Sequence, residues 1–199
     1  MPTYQKPPTV NDDARAQDIY REAARIISDK GFDATSMGDI AETVDLTKGG
    51  LYYYIKGKKA LLFAIMNFAL DLLEERVVSQ ARGLDDANQR LAGLLAGYVQ
   101  LVLDEPSAMA ILVNEDEKLD PSYRPRIMER KQAYSEYLRD CIAAVQPENS
   151  GIDPDIAAYS ILGMVHGALH GHEVTKSKLS EEEVSAQIAD IALRGLIPS

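Results

Sequence analysis

Apolar residues recur at three- and four-residue intervals along almost the whole chain, and the alternation of a half-buried strand is nearly absent. Ile19, Ala23, Ile26 and Ile27 set the first helical stripe, over Asp13–Lys30, and Gly31 follows as a C-terminal cap. Ser36, with Asp39 three residues on, reads as a capping box opening a short helix Met37–Thr43. After a break at Val44-Asp45-Leu46, Thr47 caps a second short helix running to about Ile55. Gly57 ends it, and an amphipathic helix is expected over Lys58–Gln80. Beyond Gly83 the spacing predicts helices over Asp86–Asp104, Pro106–Asn114 and Pro121–Val145, then a linker from Gln146 to Gly151. Asn114–Asp120 reads as an acidic loop. Asp153 caps a helix to about Val174, and Ser180, followed by three glutamates, caps the last. The expectation is an all-α chain of about nine helices: a tri-helical N-terminal domain followed by a larger helical domain.

Charge divides the chain further. Of 21 basic and 31 acidic residues, nine of each lie in residues 1–60, so the whole formal charge of -10 belongs to the rest. An acidic body discourages indiscriminate adhesion to nucleic acid, whereas a neutral segment with clustered lysines can meet phosphates in one orientation. The cluster is conspicuous in LTKGGLYYYIKGKKALL, residues 46–62. The apolar runs are broken by Asn67 and Gln100 before the ~18 residues a membrane span requires. The N-terminus lacks the apolar centre of a signal peptide, and the single cysteine, Cys141, suits a reducing compartment. A cytoplasmic chain with no membrane partner is expected.

Two short helices joined by a tight break make a helix-turn-helix on spacing alone. Ile40, Ala41, Val44, Leu46, Leu51 and Ile55 form its expected core, which turns Lys48, Tyr52 and Tyr53 outward. Thr47, Lys48, Gly49 and Gly50, at the start of the second helix, are placed to meet base edges. Tyrosine hydroxyls and lysine ammoniums suit phosphates, which fix register; Thr35, Ser36, Tyr54 and Lys58 complete the expected DNA-binding set.

Gly31-Phe32, Ala34-Thr35-Ser36, Asp39-Ile40-Ala41, Thr47-Lys48-Gly49, Leu51-Tyr52-Tyr53, Lys58 and Leu61 together resemble the N-terminal domain of the tetracycline-repressor (TetR) family, over about residues 15–62. The resemblance implies a homodimer on double-stranded palindromic operator DNA and a C-terminal chamber whose occupancy releases DNA; the expected effector is a small hydrophobic or acyl-CoA-type molecule, and no enzymatic activity and no cofactor are expected. It divides the chain into an arm (1–12), a DNA-binding domain (13–57) and a ligand-binding and dimerisation domain (58–199). Asp45 replaces the family's usual turn glycine, Gly50 a small polar residue, Lys59 an acidic one, and Tyr54 and Ile55 the commoner histidine and phenylalanine.

In the larger domain, Gly163, Gly167 and Gly171 recur every four residues, suiting close approach of another helix, either a partner's or one of the chain's own. With the last helix's seam of Val184, Ile188, Ile191 and Gly195, they are the expected dimer interface. Tyr98, Met109, Val113, Tyr134, His166 and His170 are candidate effector-lining residues, and Arg126 and Arg130, one turn apart, a candidate phosphate clamp. From Asn114 onward the chain resembles TetR members that sense CoA thioesters. The alternative reading is a helical-bundle enzyme holding a metal on His166, His170 and Glu173; polar chamber lining is the preferred role for these histidines, with no metal assigned.

Overall fold

The computed structural model describes residues 14–147, 150–175 and 180–196, with the backbone alone for 168–175, 181, 182 and 196. Every regular element among them is helical: α1 Ala14–Lys30, α2 Met37–Thr43, α3 Lys48–Tyr54, α4 Lys58–Leu73, α5 Ala87–Asp104, α6 Pro106–Asn114, α7 Arg124–Ala143, α8 Pro154–Thr175 and α9 Glu181–Leu196. A single 3-10 turn, Asp116–Lys118, stands in the acidic loop.

The elements form two compact units. In the first, α1, α2, α3 and α4 up to Ala69 pack with the segment Ser107–Ile127. Ile19, Ile27, Ile40, Leu51, Leu61, Leu62 and Ile65 are fully buried there, each contributing about 1.5–3 kcal/mol. Local chemistry sets the breaks. Gly31 takes a φ of 86° as its N–H closes on the carbonyl of Ile27 at 2.8 Å, a conformation that favours glycine. Asp45 adopts a φ of 54° in the turn between α2 and α3, which Asp tolerates better than most side chains. Arg15 donates to the carbonyl of Val44 at 2.6 Å, satisfying the end of α2 from α1.

The second unit comprises Leu70–Pro106 and 128–199. Here α4 runs without a break through a π-helical turn, Glu74–Val78, into Ser79–Arg82, and the N–H of Ser79 bonds to the carbonyl of Glu74. The π turn packs on α5 so closely that a Cβ at Gly97 would come within 3.3 Å of Val77. Along α9, Val184, Ser185, Ile188 and Ala192 are buried, and the helix packs chiefly on α5.

Two expectations change. From Leu61 to Leu73, α4 is buried on nearly every side, so its uniform hydrophobicity signals an interior helix rather than an amphipathic one. And α7 begins at Arg124 rather than Pro121. Asp120 makes a turn instead, its carboxylate accepting from the N–H and hydroxyl of Ser122 and its carbonyl from the N–H groups of Tyr123 and Arg124. Pro125 then occupies the first helical turn, where no N–H is needed.

Candidate functional site

The surface of interest in the first unit is built by two caps. Ser36 and Asp39 close a capping box at 3.1 and 2.8 Å, fixing the start of α2. Thr47 caps α3, its hydroxyl oxygen accepting from the N–H of Gly50 at 3.0 Å and keeping its hydrogen free to donate. Leu51 and Ile55 point inward and are buried. The opposite side of α3 therefore presents Thr47, Lys48, Gly49, Tyr52 and, 84% exposed, Tyr53. Tyr54 lies edge-on to Tyr53, ring centres 5.5 Å apart, and is half-buried. The two glycines differ. A Cβ at Gly49 would meet nothing nearer than 4.0 Å, whereas one at Gly50 would crowd the capping hydroxyl of Thr47 at 3.3 Å. Exposed Lys56 adds a cation that sequence reasoning left unassigned, although it belongs to the same lysine cluster.

In the second unit, three candidate effector residues converge. The hydroxyl of Tyr98 lies 2.7 Å from His166 Nε2, and the Tyr98 ring stacks on Tyr134, centres 5.5 Å apart. Burial, with some help from the charge of Lys131, holds the His166 pKa below its usual value; burial likewise pushes both phenols up. The cluster is thus neutral near pH 7. On the face of α8, Gly163 and Gly167 are exposed, and a Cβ at either would meet no atom within 4 Å. Among the described residues, nothing packs against the open side of these glycines. Beside them Ile152, Ile156, Ser160, Met164, Ile191 and Gly195 line an open apolar groove of about 250 Å³ between α8 and α9.

Comparison with known proteins decides the family. Residues 19–65 match the profile described as bacterial regulatory proteins, tetR family, and residues 84–196 match the tetracyclin repressor-like C-terminal domain. The chain belongs to the TetR family. Its relatives include the transcriptional repressor KstR2 of Mycolicibacterium smegmatis, 23% identical over 94% of this chain and 92% of KstR2. The transcriptional activator FasR of the same organism is 22% identical over 77% of this chain and 68% of FasR. Among solved structures, AibR in complex with isovaleryl coenzyme A and operator DNA is 33% identical, with a TM-score of 0.75 over 92% of this chain and 98% of AibR.

Within this TetR chain several expected site residues take other places. Thr35 is 1% exposed and donates its hydroxyl to the carbonyl of Gly31 at 2.9 Å, so its side chain has no surface to offer DNA. Lys58 donates to the carbonyls of Asp33 and Thr35 at 3.1 and 2.8 Å and sits over the Phe32 ring. It fastens the start of α4 to the loop before α2. Lys58→Met is therefore expected to cost about 1–2 kcal/mol of stability in thermal or urea unfolding while leaving the salt dependence of DNA binding unchanged; a shallower salt slope at unaltered stability would restore a phosphate role.

The arginine clamp dissolves as well: Arg130 pairs with Asp71 at 2.8 Å, while Arg126 lies over Phe63. Met109 is fully buried in the first unit, and Val113 is partly exposed there. Val184 and Ile188 are buried within the chain itself, leaving Ile191 as the exposed member of the α9 seam. The side chains of His170 and Glu173, and the surroundings of Gly171, lie outside the described residues. Among the described residues no group of three or more His, Cys, Asp or Glu is placed to hold a metal, and none of their helices is long and apolar enough to cross a membrane.

Proposed function

We propose that this chain is a cytoplasmic, ligand-responsive transcriptional repressor, that it binds a palindromic operator as a homodimer, and that an acyl-CoA-type effector releases it. The observation that carries the reading is the outward face of α3, where Thr47, Lys48, Gly49, Tyr52 and Tyr53 stand clear of the chain's own core in a TetR chain. The α3 N-terminus approaches base edges, with Ser36 and the tyrosines on phosphates. In this proposal residues 1–12 are an arm, residues 13–57 read DNA, and residues 58–199 bind effector and partner. Met109, Val113, Arg126 and Arg130 leave the effector set for the reasons above; Tyr98, Tyr134 and His166 stay in it.

The open glycines of α8 and the apolar groove beside them support a second copy as the occupant of that face. Two-fold symmetry then sets the reading helices about 34–36 Å apart, on successive major grooves. An effector that favours a different spacing lowers DNA affinity by its differential affinity for the two states. The likeness to AibR, with isovaleryl-CoA and operator DNA in its structure, supports the effector class. Kinship with KstR2 along nearly the full chain supports repression. The metal-enzyme alternative is not favoured: Tyr98 occupies Nε2 of His166, and the relatives are regulators.

Fluorescence anisotropy on DNA from upstream of the chain's own gene tests the proposal. The expected result is a salt-sensitive, sequence-preferring complex that isovaleryl-CoA weakens. Sequence-independent binding alone would sink the operator reading, and indifference to acyl-CoA the effector reading.

A further inference from the structure

The hydroxyl of Tyr134 is buried without a hydrogen-bond partner. The residue as a whole is only 9% exposed, and leaving a polar group unpaired inside a protein is unfavourable. Phenylalanine would fill the same space without that cost, so the oxygen calls for an explanation. The neighbouring groups do not supply one. Tyr98 stacks face to face with Tyr134, and its own hydroxyl is taken by His166 Nε2. Tyr137, the other unpartnered phenol of α7, sits beside the Cys141 thiol, a weak acceptor at best.

The result is one spare, buried O–H donor in an aromatic cluster whose ionisable members, Tyr98, Tyr134 and His166, are all uncharged near neutral pH. Such a site suits a neutral acceptor flanked by apolar groups, namely a carbonyl oxygen on a hydrophobic acyl chain. We propose that Tyr134 donates its hydroxyl hydrogen to the acyl carbonyl oxygen of the effector, with the Tyr98–His166 pair holding the ring against which the acyl group lies. This rests on the acyl-CoA reading above and names the atom that recognises the acyl group. The effector thereby pairs an oxygen that no group among the described residues pairs, a contact made only in the bound state.

The test uses the full chain, isovaleryl-CoA, and the matching thioether in which the carbonyl is replaced by a methylene, with affinities measured by calorimetry. Wild type is expected to prefer the thioester by about tenfold. In Tyr134→Phe this preference should fall to near unity through loss of thioester affinity alone, while the ligand-free variant melts no lower than wild type. A preference that survives in Tyr134→Phe overturns the inference, as does a ligand-free variant that melts lower, which would give the hydroxyl an internal structural bond. Wild type binding both compounds equally overturns the inference and spares the acyl-CoA reading; wild type binding neither removes both.

Discussion

An Ile156→Asp chain is expected to be a folded monomer that has lost operator binding. Ile156 is 64% exposed on α8, so within one chain the aspartate would remain in water and helicity should be unchanged. In a two-fold dimer the same substitution acts twice at one interface. Each carboxylate would be buried against Met164, the open glycines or Ile191 of either copy, in a groove lined almost wholly by apolar side chains. An uncompensated buried charge costs several kcal/mol, so the dimer should weaken by about 10³-fold or more. Sedimentation at micromolar concentration would show one species at monomer mass. A variant that stays dimeric would place the interface elsewhere.

The second large effect concerns α3. Lys48→Ala combined with Tyr53→Ala removes two exposed side chains, and stability should shift by no more than about 0.5 kcal/mol. Operator affinity should fall by about 2 kcal/mol, roughly thirtyfold. Its logarithmic salt slope should become shallower by about one, because one phosphate-neutralising ammonium is gone. A loss confined to one operator sequence, with the slope intact, would move Lys48 from phosphates to base edges.

What could be read from sequence and what could not divide along a physical line. Caps and breaks depend on neighbours within four residues, so Ser36 with Asp39, Thr47, Gly31 and the strained Asp45 were all legible before any coordinates. The inward turn of Leu51 and Ile55 followed from one helical period. Partners far apart along the chain were another matter. Lys58 lies 23 residues from the Thr35 carbonyl it binds, and its ammonium looks the same in sequence whether it meets DNA or the backbone. Val184 and Ile188 share an apolar stripe with Ile191, yet the fold buries the first two and leaves the third bare. Periodicity identifies the stripe without dividing it among its partners. The stack of Tyr98 on Tyr134, and the pairing of Lys118 with Asp33 across 85 residues, are likewise products of tertiary folding. That ion pair, the principal cause of the lowered Asp33 pKa, ties the acidic loop to the turn before α2.

The wide turn at Glu74–Val78 has a consequence for how this helix tolerates change. An α-helix advances about 100° per residue, so losing one residue from an ordinary stretch swings every following side chain onto another face. The π turn holds its extra residue in a single wide loop of backbone, closed from Ser79 to Glu74. Removing one residue there relaxes the loop to ordinary helix and keeps both ends in phase. Length variation of one residue in α4 is thus buffered at this point, where the buried Leu61–Leu73 stretch and the α5-facing Val77 can each keep their neighbours.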